Sequence, residues 1–243
     1  ERLEGQCNLI ASPGLVERLR VIKDSHEIDC MRRAIRIADQ AHEMVEHELV
    51  VGKSERELAI QIEQEFRELG AEKPSFDVIV AAGCNSAMPH HQPGAYVVKA
   101  GEAVVVDFGV IVDGYCSDIT RTYCPGGRTE QFDEIYGIVL EAEHVALKSV
   151  SAGQSAREVD RAAREIIKAA GYVEFFQHGV GHGVGMDIHE APRLAASSDD
   201  MLEAGMVHSI EPGIYLPKWG GVRIEDLVLV QEGGMEILTS AAK

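Results

Sequence analysis

The chain has 243 residues, 45% of them hydrophobic and 26% charged, enough length and apolar content for a full hydrophobic core. Forty acidic residues against 23 basic ones leave a formal net charge of −17, which argues against nucleic acid or an anionic membrane surface as a partner. The five cysteines (Cys7, Cys30, Cys84, Cys116, Cys124) are odd in number and lack C-x-x-C spacing, so they describe neither a disulfide framework nor a zinc ribbon; a cytoplasmic location is expected.

Residues 1–24 read as a tail or a linker. Ser12-Pro13-Gly14 is a turn signal, and Leu15, Leu19 and Ile22 form a short amphipathic stretch. Ser25 is placed to cap a long helix whose apolar residues (Ile28, Met31, Ile35, Ala38, Met44, Val45, Leu49) recur at helical spacing. An internal repeat follows. Gly52-Lys53-Ser54-Glu55-Arg56-Glu57-Leu58 returns 101 residues later as Gly153-Gln154-Ser155-Ala156-Arg157-Glu158-Val159. Each copy carries an S-x-x-E capping box, and each helix reaches a glycine, Gly70 or Gly171, 18 residues past its first. Helical segments at 25–50 and 130–150 precede the copies, and strand-like sequence follows them. This predicts two equivalent halves, each a helix pair leading into antiparallel strands, with a site between them.

In the first half, residues 76–81 read as a strand, and 103–112 and 115–123 as a hairpin turned by Asp113-Gly114. That register sets Val112 against Tyr115 and Asp107 against Thr120, so Asp118 shares a face with Asp107. In the second half, 206–211 and 222–230 read as strands separated by a Pro/Gly-rich loop at 212–221. Between the halves' strands lies His178-Gly179-Val180-Gly181-His182-Gly183-Val184-Gly185-Met186-Asp187-Ile188-His189-Glu190. Glycine at every second position costs a helix about 1 kcal/mol each, so His178 and His182 are not a helical pair. The glycines instead allow close backbone approach to something held between the imidazoles.

Asp107 follows Val104-Val105-Val106, Glu211 follows Val207-His208-Ser209-Ile210, and Glu225 shares a strand face with Arg223. Carboxylates buried on strands need cations or protons. Four of them with one imidazole suit two divalent ions and metal-assisted hydrolysis.

At these residues the chain resembles a family. Asp107 in Val-Val-Asp-Phe-Gly, Asp118 in Ser-Asp-Ile-Thr-Arg-Thr, His182 in Gly-His-Gly-Val-Gly, Glu211 in Ser-Ile-Glu-Pro-Gly and Glu225 in Arg-Ile-Glu-Asp look like the five metal ligands of the creatinase/aminopeptidase "pita-bread" metallopeptidases. The resemblance is to the branch of Xaa-Pro dipeptidases (prolidases) and Xaa-Pro aminopeptidases. It implies an α+β fold of two pseudo-symmetric halves, with a curved antiparallel sheet and helices on its outer side, and a catalytic domain over residues 25–243. It implies two divalent metal ions, manganese foremost, with cobalt or zinc as alternatives. The implied substrate is a short peptide with proline at its second position, and the implied assembly a homodimer. His90 and His178 would bind substrate, and His189 would support the scissile carbonyl. Glu211 would double as ligand and proton shuttle, and Arg223 would hold a ligand carboxylate, Asp107. Full-length relatives carry an additional N-terminal domain, which the 24-residue lead resembles only at its end. Three other readings share this fold. A metal-dependent lyase keeps the ligands, other C–N hydrolases of the creatinase type have lost them, and peptide-binding pseudoenzymes lack them. His91 and His208 read as packing or surface residues, Asp187 and Asp226 as structural, Cys116 and Cys124 as ordinary strand residues, and Trp219 as part of the rim or of loop packing.

Overall fold

A computed structural model of the chain describes Ser12 and residues 14–243; Cys7 lies outside these residues. The amphipathic stretch forms α1 (Leu15–Val21), whose Leu15, Val16 and Leu19 stay exposed. The long helix α2 (Ser25–Glu48) is capped by Asp24 rather than Ser25. The Asp24 carboxylate accepts from the amides of His26 and Glu27, and Glu27 accepts from the amide of Asp24. A carboxylate at that place also meets the positive end of the helix dipole, an advantage a serine hydroxyl lacks.

The first half continues with α3 (Glu55–Glu68), β1 (Lys73–Pro74), β2 (Ile79–Ala82), a 3-10 turn at Gly83–Ala87, β3 (Val104–Phe108), β4 (Val110–Val112), β5 (Tyr115–Cys116) and β6 (Ile119–Tyr123). The hairpin register is the expected one, with Val112 opposite Tyr115 and Asp107 opposite Thr120. The ribbon is nevertheless broken in both arms, at Gly109 and at Ser117-Asp118. A Cβ on Gly109 would lie 1.8 Å from the Ser117 carbonyl oxygen, so only glycine lets the arms cross this closely. The break splits the hairpin between two sheets, β2-β3-β6 and β1-β4-β5.

The second half comprises α4 (Glu130–Ser149), α5 (Ala156–Ala169), a 3-10 turn at Val173–Phe175, β7 (Gly181–Gly183), β8 (Glu190–Leu194), β9 (Val207–Ile210), β10 (Gly213–Leu216), β11 (Gly220–Arg223), β12 (Asp226–Gln231) and β13 (Gly234–Ile237). Two expectations need correction here. Residues 212–221 are not a plain loop but most of a second hairpin, β10-β11. The strand expected at 222–230 is two strands, parted at Ile224-Glu225, because β11 pairs with β10 whereas β12 pairs with β9 and β13.

The halves are alike in detail. Gly52 and Gly153 donate their amides to Val98 and Leu202, while Lys53 and Gln154 accept from those same two residues. Gly70 and Gly171 end their helices at φ 89° and 87°. The capping boxes differ: Ser54 and Glu57 close one at α3, but Ser155 caps nothing and Glu158 pairs with Arg161. The strand order β2-β3-β6 recurs as β7-β9-β12. One core packs α2 and α3 on the first of these sheets, and another packs α4 and α5 on the second. Each fully buried Ile, Leu, Val or Phe there contributes about 1.5–3 kcal/mol. The sheets meet where the Glu225 amide donates to the Thr120 carbonyl (3.1 Å) and Thr122 Oγ1 donates to the Arg223 carbonyl (2.7 Å). On the face away from the helices this seam opens into a cleft of about 930 Å³, lined by strands and loops with no residue from α1–α5.

Candidate metal centre

The backbone interruptions place the acidic groups. Asp107 is the penultimate residue of β3 and Glu211 follows β9, while Asp118 and Glu225 each stand one residue ahead of a strand, β6 and β12. His182 is the middle residue of β7, between two glycines that abut backbone: Cβ atoms on Gly181 and Gly183 would lie 2.1 Å from the carbonyl oxygens of Ser209 and Ala191. Close apposition of β7 to its neighbours delivers the imidazole to the seam. Donor atoms of Asp118, His182 and Glu225 all lie within 4.8 Å of one another. His182 Nε2 is 3.5 Å from Asp118 and 3.3 Å from Glu211. Asp107 is joined to this group through Arg223, whose Nη2 lies 2.5 Å from Asp107 Oδ2.

These groups fit a divalent cation. His182 Nδ1 points at the Gly183 carbonyl (3.0 Å), which places the ring proton there and turns the Nε2 lone pair toward the carboxylates. Burial holds the His182 pKa below its ordinary value, so the ring is neutral. Asp107 Oδ1 and Glu225 Oε1 are buried without a hydrogen-bond partner. Burial, followed by the charges of their acidic neighbours, drives the carboxyls of Asp118 and Glu225 well above the usual range. Glu211 is raised as well, mainly by burial, against the opposing charges of His178 and Arg223. A lone pair facing carboxylates across little more than 3 Å is repulsive unless a cation or proton lies between them.

A second layer fixes these groups. Arg223 donates to Asp107, to Thr120 Oγ1 (3.1 Å) and to the Tyr215 hydroxyl (2.9 Å). Thr120 passes its own proton to Glu225 Oε2 (2.7 Å), and Ser209 Oγ donates to Glu211 (3.2 Å). Tyr215 donates to His178 Nε2 (2.9 Å), whose Nδ1 faces the Gly179 carbonyl (2.7 Å). Burial pushes the Tyr215 hydroxyl up to about 12, so it stays protonated. Tyr215, Thr120 and Ser209 escaped the sequence reading because nothing in their spacing marks them. Only the β10-β11 hairpin, itself read as a loop, brings Tyr215 back over Arg223.

Of the other expected site residues, His189 stacks edge-on against His182 at 4.3 Å between ring centres. Burial, and then the charges of His182 and His90, keep its pKa low. His90 is exposed on the cleft wall. Among the residues given blander readings, Asp226 is buried against Arg121 (2.8 Å), Asp187 pairs with Arg20 (2.8 Å), and Trp219 packs against the second-half core. His208 is buried, with its Nδ1 on the Ser209 carbonyl (2.9 Å). His91 also lines the cleft, and it is tied to Glu55 (2.9 Å).

Buried carboxylates and a neutral imidazole converging at the seam of a duplicated, helix-backed sheet define a divalent-metal protein of the pita-bread fold. The chain belongs to metallopeptidase family M24, whose family profile matches residues 29–232. It is 46% identical over 229 residues to the Xaa-Pro dipeptidase of Pyrococcus furiosus, an alignment that covers 94% of this chain and 66% of that protein. Among solved structures, an Xaa-Pro dipeptidase from Bacillus anthracis superposes with a TM-score of 0.95 at 46% identity, covering 96% of this chain and 66% of the other. An X-Pro aminopeptidase from Thermotoga maritima gives a TM-score of 0.95 at 40% identity, covering 98% and 68%. The chain thus spans about two thirds of the length of the curated relatives it matches.

Proposed function

We propose that residues 25–243 form the catalytic domain of a dinuclear-metal exopeptidase that hydrolyses the bond between an N-terminal residue and a following proline. The observation that carries this reading is the cluster of Asp118, His182 and Glu225 donor atoms within 4.8 Å of one another, with Glu211 3.3 Å from His182 and Asp107 oriented by Arg223. Asp107, Asp118, His182, Glu211 and Glu225 are the residues that would hold two divalent ions, manganese in the first instance, with cobalt or zinc as alternatives. When bound, the ions would supply acidification of water and polarisation of the scissile carbonyl.

The rest is the work of the chain's own side chains. Glu211, raised by burial and steered by Ser209, is suited to take a proton from the attacking water and pass it to the leaving nitrogen. His189 stands beside His182, where its ring can donate to the developing oxyanion. His178 is locked by Tyr215 and Gly179 into one tautomer, and with His90 it forms the polar part of the cleft that binds substrate. Phe76, Val78, Ile79, Ile188 and Pro217 provide apolar wall suited to a proline ring. Arg193 also lines the cleft, and among the described residues its guanidinium pairs with no carboxylate, which leaves it available for the carboxylate of a dipeptide. A homodimer is the expected assembly. A cytoplasmic site of action is the expectation, in keeping with the four free cysteines among the described residues. None of the helices there is long and apolar enough to cross a membrane.

The test assays the purified chain with added manganese against an Xaa-Pro dipeptide, an Xaa-Pro-Xaa tripeptide and an Xaa-Ala control, with Glu211→Ala alongside. Cleavage restricted to proline substrates and abolished in the variant is the expected result. Equal cleavage of the alanine control would remove the proline assignment, and absence of both turnover and bound metal would overturn the hydrolase reading.

A further inference from the structure

The internal repeat is broken at one buried position. Glu55 opens α3 and Ala156 opens α5, and both are 0% exposed. The second half therefore shows that this place in the fold is filled adequately by a methyl group. A buried carboxylate costs several kcal/mol to desolvate and must be repaid by hydrogen bonds. Glu55 makes four. Its Oε1 accepts from the Ala82 amide (2.9 Å) and from Asn85 Nδ2 (2.9 Å), and its Oε2 accepts from His91 Nε2 (2.9 Å) and from the Gly94 amide (3.0 Å). The same helix end receives the loop's return strand, since the amides of Glu55 and Arg56 donate to the carbonyls of Tyr96 and Gly94 (both 3.0 Å).

All four donors belong to the end of β2 and the segment it leads into, residues 82–94. That segment carries His90 on the cleft wall. Among the described residues the His90 side chain has no hydrogen-bond partner, so its place is set by its backbone and by the anchored neighbour, His91. We infer that Glu55 is the positioning residue for His90: one buried carboxylate at the start of α3 gathers the 82–94 segment and thereby fixes the histidine that faces the cleft. The inference rests on the peptidase reading only for its effect on turnover. The placement of His90 stands independently of it.

The test compares Glu55→Gln, His90→Ala and the double variant with the parent chain, all loaded with manganese for kinetics and with zinc for NMR. Glutamine keeps the shape but turns an amide donor toward donors that need an acceptor. The His90 ring signals, assigned by their loss in His90→Ala, are expected to shift or broaden in Glu55→Gln. Metal stoichiometry should be unchanged, and kcat/KM on the Xaa-Pro dipeptide should fall about 10- to 100-fold. In the His90→Ala background the same change should cost less than about twofold, because the two act through one group. Unmoved His90 signals, or losses that multiply in the double variant, would overturn the inference. A parent chain without dipeptide cleavage would count against the peptidase reading alone, and the ring signals would still decide the role of Glu55. Should Glu55→Gln fail to fold, His91→Ala removes one of the four donors and takes its place in every arm, with a smaller change in the same direction.

Discussion

Tyr215→Phe isolates the contribution of the site's internal hydrogen bonds, because one hydroxyl serves two buried groups. It donates to His178 Nε2 and accepts from Arg223 Nη1, each at 2.9 Å. Phenylalanine keeps the ring and opens no cavity, so the loss is confined to one donor and one acceptor. A buried polar group left without a partner costs about 1–3 kcal/mol, more when charged, so the pair should cost about 2–4 kcal/mol. For 243 residues the entropy of unfolding is about 0.5 kcal/mol/K, and the melting temperature should fall by about 4–8 °C. Tyr172→Phe is the control. Its hydroxyl bonds Glu134 at 2.9 Å in an exposed position, and its loss should cost no more than about 0.5 kcal/mol. Gly213→Ala reaches the same contact by another route, since its Cβ would lie 2.6 Å from the Tyr215 hydroxyl and displace it. The assay is thermal unfolding followed by calorimetry at a fixed metal concentration, because bound metal itself raises the midpoint. If Tyr215→Phe melts within about 1 °C of Tyr172→Phe, the argument from unpaired buried groups is wrong for this site.

Glu225→Gln keeps the volume of a buried carboxylate with an orphaned oxygen, and titration calorimetry with manganese should show binding weakened by more than about tenfold, since losing even an outer-sphere partner costs about 10- to 100-fold. His42 is held neutral, down to about 3, by burial and then by the Arg121 charge, so the unfolded chain takes up a proton below the ordinary 6.5 and the native state does not. Stability should drain as pH falls from 6.5 toward 3. A His42→Gln variant should gain about 2 kcal/mol on the parent chain between pH 7 and pH 5, measured by urea unfolding; a constant difference across that range would contradict the assignment. Arg193→Ala should raise KM about tenfold for a dipeptide, whose free carboxylate is that of the proline itself, and less for a tripeptide, which has an amide there; equal effects would show that Arg193 does not receive that carboxylate.

Local chemistry made much of the fold and most of the site readable from sequence. Asp113-Gly114 fixed a register, and register alone placed Asp107 opposite Thr120. The helix-ending glycines disclosed the duplication, since both Gly70 and Gly171 take the left-handed conformation that glycine adopts most readily past a helix end. What stayed hidden depends on contacts distant in sequence. Whether Ser25 or Asp24 caps α2 is a contest between adjacent residues that Glu27 decides by reaching back. The division of 222–230 into two strands follows from different partners for β11 and β12, information that Val222–Val230 does not contain. His91 looked like a packing residue because its partner, Glu55, lies 36 positions away.

Duplication explains why there are four carboxylates, and its imperfections explain why the site has a direction. Equivalent strand ends supply Asp107 and Glu211, and equivalent strand starts supply Asp118 and Glu225, so a fold that buries one acidic pair buries two and faces them across the seam. A symmetric cage would bind cations but would treat both sides of a substrate alike. The halves diverge where direction is required. β7 occupies the place of β2, yet it reads Gly-His-Gly where β2 reads Ile-Val-Ala-Ala, and it inserts an imidazole where the first half has only apolar side chains. The first half replies at α3, where Glu55 stands in for the alanine of α5 and anchors the segment bearing His90. One half thus contributes a fixed neutral nitrogen to the centre, and the other a fixed histidine to the cleft wall. The two insertions are not interchangeable, since Cβ atoms at Gly181 and Gly183 would meet backbone at 2.1 Å and a carboxylate at Ala156 would be buried where a methyl group now suffices; the asymmetric residues, more than the shared carboxylates, give the site its direction.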